Sequence, residues 1–582
     1  MSDSIAEIQA VTGADAPAAW ISNLWDKFNH QRSGKMAELR ELNAFIFATD
    51  TSTTSAGSLP WKNSTTIPKI CQIRDNLHSN YISSLFPNDD WLQWEGYSQE
   101  DSVKKKSRAI KAYMSNKVRE TKFRTEISKL VYDYIDTGNA FVTSNFESRY
   151  KEMEDGSLTP SYIGPVASRI SIDDIVFNPT AKSFDQTFKI VRSIKTIGEL
   201  KKLAATEVEN RFWTDALQRR EEIRNLAGGY SIEDFEKSIA YEADGFGSIH
   251  EYYMSDYVEI LEFFGDYHDT NTGELQTERL ITIVDRSHTV RNTQIPTWFS
   301  GAPIRHVGWR FRPDNLYAMG PLDNLVGLQY RLDHLENLKA DAMDLIVHPP
   351  LKVIGEVEEF KWGPGIEINI DEGGDVQELG SNLNGILAAS SEMQGIEDRM
   401  ELYAGAPREA MGVRTPGEKT ALEVQTLSNA AGRIFQEKVT NFEINLLEPL
   451  LNDMLESARR NIDGSDIVRI KNTELGITEF LSITRDDITA NGLIRPVGAR
   501  HFSKQAQDLQ NLIGIFNSPI AGLIAPHTSA IALTDFVNDV TGLSGYNIFA
   551  PNVAVFEQQE TASTAGRVQE EALIQDTAPP VG

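Results

Sequence analysis

At 582 residues the chain is too long for one compact core, and two to four cooperating structural units are expected. Its 56 basic and 84 acidic side chains give a net charge of 56 − 84 = −28. That average surface repels nucleic acid, which excludes a simple DNA-coating role but is compatible with a channel wall along which DNA slides without sticking. The single cysteine, Cys71, excludes an intrachain disulfide and a cysteine-rich zinc site.

A hydrophobic share of 40%, with 9 Trp, 17 Tyr and 26 Phe, marks a folded protein. The amino terminus, Met1-Ser2-Asp3-Ser4, has neither the basic patch nor the apolar core of a secretory signal. The apolar run from Leu512 to Ile524 falls short of the roughly 20 residues that a bilayer span needs. Cytoplasmic synthesis in a reducing compartment and no membrane helix are therefore expected.

Trp20, Leu24, Trp25 and Phe28, then Leu39, Leu42, Phe45 and Phe47, predict amphipathic helix at the start of the chain. Thr51 to Ser58, ending at Pro60, reads as a loop. A helix is predicted from Pro68 to Phe86, stopped by Pro87; within it Cys71 reads as a small apolar side chain. Lys104, Lys105, Lys106 and Arg108 open a helix that runs on through Tyr113, Val118, Phe123 and Ile127, so a solvated helix face explains them better than a nucleic-acid site.

Alternation then predicts strands at Ala140–Phe146, Ser168–Phe177, Phe188–Ile194, Ile260–Phe264 and Leu280–Asp285, interrupted by a charged helical stretch from Ile197 to Leu226. Between Pro321 and Ile346 a helix is expected, with Leu325, Leu328, Leu332, Leu335 and Leu338 as its apolar stripe and Arg331, Asp333, Glu336 and Lys339 elsewhere on it. Leu351 to Leu379 reads as short strands and turns. From Lys419 to Arg460 the apolar spacing predicts a helix of roughly 60 Å, with Pro449 the position where it would kink. Thr478 to Thr484 reads as a short strand, and helix is expected to resume near Phe502. Residues 557–582 have the composition of a loose tail.

Gly412 to Thr420 imitates a phosphate-binding loop, but Glu418 separates the second glycine from Lys419 and puts a carboxylate where phosphate oxygens would lie. A helix cap explains the same residues: Thr415 as cap, Pro416 at the first helical position and Glu418 at the third. The acidic pairs Asp89-Asp90, Asp173-Asp174 and Asp486-Asp487 could serve a metal-dependent nuclease only if distant acids converged; turns and caps account for each. No catalytic, cofactor-binding or metal-ligating residue is assigned, and no cofactor is expected.

Several ordered segments resemble portal proteins, the head-to-tail connectors of tailed bacteriophages, and in particular those of short-tailed phages. They are Tyr317-Ala318-Met319-Gly320-Pro321 before the leucine-striped helix; Leu402-Tyr403-Ala404-Gly405-Ala406-Pro407; Arg414 to Val424 leading into the long helix through Glu448-Pro449-Leu450; and Asn491 to Arg500. The resemblance covers nearly a third of the chain. It implies a mixed α/β, mainly helical subunit with wing, stem, clip and crown, about twelve copies of which form a ring.

On that reading residues 1–315 are a wing-like helical and α/β region, 316–350 a stem-like helix, and 351–414 a strand- and turn-rich connection in which the clip could lie. Residues 415–462 are the long central helix, 463–556 a strand-turn and then helical crown-side region, and 557–582 a flexible tail. The implied partners are other copies of the chain, double-stranded DNA in the channel, the terminase large subunit, major capsid and scaffolding proteins, and a tail adaptor. The implied location is the portal vertex of the virion. The resemblance designates no channel-lining residue. The rival readings are another head-tail ring or adaptor protein and a metal-dependent nuclease.

Overall fold

The computed structural model describes residues 15–47, 65–86, 91–96, 101–152, 158–204, 210–227, 251, 254–269, 273–296, 301–347, 351–354, 375–378, 383–405, 434–462, 465–471, 478–489 and 492–496. The fold is mixed α/β, predominantly helical, with several small β-sheets. The chain divides into two compact units, Met1–Ser83 with Val118–Asn461 and Ser84–Lys117 with Ile462–Gly582. No helix among the described residues is long and apolar enough to cross a membrane.

The first elements are helices α1 (Ala16–Gln31), α2 (Ser33–Ile46) and α3 (Lys69–Leu85), strand β1 (Leu92–Gly96), and helices α4 (Asp101–Glu120) and α5 (Phe123–Asp136). In α1, Ala18, Ile21 and Trp25 are buried. Arg32 separates α1 from α2 and turns inward, donating to the carbonyls of Ile172, Asp173 and Ile175. Phe47 does not extend the apolar face of α2; it caps the helix and is exposed. The single helix expected to run from the Lys104 cluster to Ile127 is two, because Lys122 takes a left-handed backbone (φ 54°). Neither proline nor glycine marks that break. It restarts the helix so that Phe123, Ile127, Leu130 and Tyr134 form the buried face of α5.

Next come β2 (Asn139–Glu152), β3 (Leu158–Ile170), β4 (Ile175–Phe177), β5 (Lys189–Thr196), α6 (Ile197–Ala204), α7 (Asn210–Ala227), β6 (Tyr257–His268), β7 (Leu275–Val284) and β8 (His288–Gln294). Strands cover Ala140–Phe146, Ile260–Phe264 and nearly all of Phe188–Ile194 and Leu280–Asp285, but the strand expected over Ser168–Phe177 is broken by a 3-10 turn at Ile172–Asp174, and β8 was not expected. Strands β4 to β8 form an antiparallel meander in sequence order. Strand geometry sends alternate residues to opposite faces. Leu261 and Phe263 accordingly pack with Ile281 and Ile283 against α1, while Val258 and Ile260 pack with Val284 against Leu200, Trp213 and Ala216 of α6 and α7.

The β7–β8 turn carries buried charge. Arg286 is paired with Glu259 at 2.7 Å and Arg220 with Asp285 at 3.0 Å, all four side chains being almost wholly out of water. Such pairs hold geometry more than they add stability, and removing one member strands the other.

Strands β9 (Ile304–Gly308), β10 (Arg310–Arg312) and β11 (Asn315–Met319) follow. A second sheet has the order β3-β2-β9, all antiparallel. Phe141 of β2, Phe177, Phe184, Ile304 and Tyr317 join Met36 and Leu39 in one core. His306 lies within it, stacked on Phe141 at 4.5 Å, and its Nε2–H donates to Asn139 Oδ1 at 3.1 Å. Burial, with the Lys189 ammonium nearby, pushes the imidazole down to about 3.

A short 3-10 turn, Asp323–Leu325, leads into α8 (Val326–Val347). Strands β12 (Leu351–Ile354) and β13 (Asp375–Glu378) pair as a two-stranded ribbon. The strand-and-turn expectation for 351–414 omits α9 (Leu383–Tyr403), a helix of 21 residues packed on α8. The long central helix is described from 434. It is α-helical over 434–442, widens to a π turn at Glu443–Leu447, and continues as α10 (Glu448–Asn461). Proline has no N–H and crowds the carbonyl four residues earlier; here the π turn lies immediately ahead of Pro449 and passes through that residue, Asn445. Arg305 of β9 holds Asp453 of α10 at 2.7 Å.

In the second unit β14 (Ser465–Lys471) and β15 (Thr478–Thr484) form a hairpin, and β16 (Gly492–Pro496) pairs antiparallel with β1. A Cβ on Gly492 would collide with the Glu95 carbonyl and the Trp94 ring, so the pairing requires glycine there. Residues 497–582, including the helix expected near Phe502 and the tail, lie outside the described residues.

Candidate functional site

The first half of α8 is held from several directions. Its entry is the segment Tyr317–Pro321, clasped by the turn before β2: Asn139 accepts from the Ala318 amide at 2.9 Å and donates to the Ala318 carbonyl at 3.0 Å. Gly138 has φ +74°, and a Cβ there would strike the Gly320 backbone; a Cβ on Gly320 would meet the Ile135 carbonyl at 2.8 Å. Two glycines thus let two chains touch backbone to backbone. Asp323 then accepts from Gly320 N at 3.2 Å and pairs with Lys35 of α2 at 2.8 Å. Tyr330 donates to Glu41 at 2.7 Å.

The buried face of α8 departs from the expected leucine stripe. Leu325, Leu332 and Leu335 are buried, but so are Gln329, Asp333 and Asn337, which repeat every four residues along that face. They hold an extended segment as a neighbouring strand would. Ile67 N donates to Asp333 Oδ1 at 2.9 Å, and Gln329 Nε2 donates to Ile67 O at 2.7 Å. Thr65 N donates to Asn337 Oδ1 at 2.7 Å, and Asn337 Nδ2 returns a bond to Thr65 O at 3.1 Å. Asp333, placed among the outward positions from sequence, is fully buried because this segment covers it. Burial raises its carboxyl above the usual range. Two residues on, Lys69 of α3 pairs with Glu401 of α9 at 2.7 Å and Glu397 at 3.4 Å.

Beyond Asn337 the exposed apolar side chains of α8 begin. Leu338, the last residue of the expected stripe, is 47% exposed; Met343 and Leu345 are exposed, and Val347 is 63% exposed. Val353 and Ile354 of β12 and Leu387 (65%), Leu402 and Tyr403 of α9 are exposed as well. A single exposed leucine needs no explanation, but α8 and the helix α9 packed on it leave several large apolar side chains in water.

A cavity of about 420 Å³ is lined by residues including Leu39, Arg40, Phe47, Arg74, Tyr132, Asp133, Asp136 and Arg169. Four of its charges are mutually engaged: Arg74 holds Asp136 at 2.7 Å, and Arg169 holds Asp133 at 2.7 Å. Burial pushes Asp133 up to about 6 against the pull of Arg169. Arg74 stacks 4.0 Å from the Tyr132 ring centroid, with His78 stacked on the same ring.

The cap residues Thr415, Pro416 and Glu418, with the rest of the phosphate-loop mimic, lie outside the described residues, as does Asp89-Asp90. Asp173 and Asp174 sit in a 3-10 turn capped by Ser171, where Asp174 pairs with Arg192. Asp487 closes a capping box with Thr484, which lowers its carboxyl. Lys106 donates to the Thr489 carbonyl at 3.1 Å. Cys71 is half-buried beside Asp75, and burial pushes its thiol up, away from the reactive thiolate. Among the described residues no three His, Cys, Asp or Glu side chains are grouped to hold a metal ion.

No known family's sequence profile matches the chain, and no curated protein matches it.

Proposed function

We propose that this chain is the portal subunit of a tailed bacteriophage. About twelve copies close into a ring at one capsid vertex. DNA passes through the ring during packaging and ejection, and the ring docks first the terminase large subunit and later the tail adaptor. In this reading residues 1–315 belong chiefly to the wing against the capsid and scaffolding proteins, α8 and the central helix to the stem, and the end of the chain to the crown inside the head.

The observation that carries the proposal is the apolar surface of the α8–α9 pair. Helices that present Leu338, Val347 and Leu387 to water gain from a neighbour that covers them, and a closed ring gives every copy the same cover. The order of the resembling segments and the net charge of −28, suited to weak contact with a polyanion, support the same reading.

Mass photometry and negative-stain microscopy of the purified full chain test it. Annular particles of about twelve copies are expected. A monomer without annular forms across several salt and detergent conditions would overturn the proposal.

A further inference from the structure

Among the described residues Asp333 is a buried carboxylate without a cationic partner. Its side chain is fully out of water, while the lysines on neighbouring elements are engaged elsewhere, Lys69 by Glu397 and Glu401 and Lys339 by Glu336. Buried charges are ordinarily paired or bound to a metal ion. Its Oδ1 accepts from Ile67 N and from Gln329 Nε2 at 2.8 Å, but Oδ2 has no hydrogen-bond partner among the described residues.

Two further oxygens, on side chains of the same joint, are buried and unpartnered among the described residues: Gln329 Oε1 and Thr66 Oγ1. The Gln329 amide and the Asp333 carboxylate touch through Nε2 and Oδ1, and both are bonded to Ile67 of the extended segment. Thr66 stands between Thr65 and Ile67, both bonded to this helix face. The carboxylate and amide oxygens can only accept, and the hydroxyl oxygen has lone pairs to offer, so a shared partner of positive character would satisfy all three.

We propose that Asp333 Oδ2, Gln329 Oε1 and Thr66 Oγ1 ligate a monovalent cation, sodium or potassium, that fastens residues 65–67 to α8. A carboxylate, an amide carbonyl and a hydroxyl are hard oxygen donors, suited to an alkali or alkaline-earth ion and not to the nitrogen- and sulfur-seeking metals. One carboxylate balances one positive charge, whereas a divalent ion would leave a net charge buried. The ion adds a third kind of tie to a joint otherwise made of side-chain-to-backbone hydrogen bonds and the Lys69 pairs.

Hydrogen exchange at the Thr65 and Ile67 amides tests this, because both donate into the joint and report on its local opening. The full chain is placed in N-methylglucamine chloride and titrated with sodium or potassium chloride at constant ionic strength. A saturable slowing of about tenfold or more at those two amides is expected with one or both ions. Thr66→Val removes one ligand from the segment and should raise the required concentration about tenfold; Asp333→Asn should abolish the response.

Equal exchange in all three salts would mean a buried water only and would overturn the site, as would a response to magnesium or calcium but to neither monovalent ion. An undiminished response in Thr66→Val would assign the ion elsewhere, so that variant decides even if Asp333→Asn does not fold. The readout is local and does not depend on ring formation.

Discussion

The sheet body around Phe141 and the far half of the α8–α9 pair belong to one compact unit, yet they use apolar residues in opposite ways. In the body, Phe141, Phe177, Phe184 and Tyr317 cover one another and enclose an imidazole. In the helical pair, Leu338, Val347 and Leu387 face water. The boundary falls at Asn337, the last polar side chain of α8 that grips residues 65–67. The first half of the helix is tied to residues 65–67 through buried polar side chains, and the second half carries the exposed apolar ones. Stability and association should therefore separate by position along the chain.

The largest stability effect should come from His306. Its ordinary value of 6.5 is depressed to about 3 in the folded chain. The unfolded chain therefore takes up a proton that the folded chain refuses. The stability at stake is fully present above pH 6.5 and is lost as pH falls toward 3, by on the order of 5 kcal/mol in total. In denaturant unfolding from pH 7.5 to 4, His306→Gln should lose less stability than the wild type; parallel curves would show that the ring does not titrate against burial.

Next in size is Phe177→Ala. Removing a fully buried ring from this cluster should cost about 3–5 kcal/mol. The loss should appear in chemical denaturation as a shifted midpoint with the slope unchanged. A cost under about 1 kcal/mol would place the site among freely collapsing or surface positions and blur the contrast with the helical pair.

How much of this contrast could be read from sequence depended on whether its cause was local. The strands from Ala140 to Asp285 were legible because alternation with Gly, Asp and Asn turns is a property of neighbouring residues. The difficulty at Pro449 was legible too, although the chain meets it with a π turn. Asp333 was not, because what buries it is a segment 266 positions away. Helix α9 was obscured by Gly385, Gly395, Ser390 and Ser391, which weaken helix propensity, although its buried residues Met393, Ile396 and Met400 recur at helical spacing. The break at Lys122 had no local signal. At the candidate site the stripe Leu325–Leu338 correctly indicated a helix, but its last leucine is exposed, which periodicity along the helix does not distinguish from burial.

The smallest stability effect should accompany the largest change in association. Leu338→Asp combined with Leu387→Asp places two charges on the α8–α9 pair. Both positions are exposed within the chain, so each substitution should alter monomer stability by no more than about 0.5 kcal/mol. If copies cover this surface, the same charges are buried uncompensated at every junction of a ring, where each costs several kcal/mol unless paired. The double variant should therefore melt like the wild-type monomer and yet yield no annular particles by negative stain. A melt lowered as far as that of Phe177→Ala would mean that the surface is already covered within the chain. Intact rings with an unchanged melt would move the inter-subunit contacts away from α8 and α9 altogether.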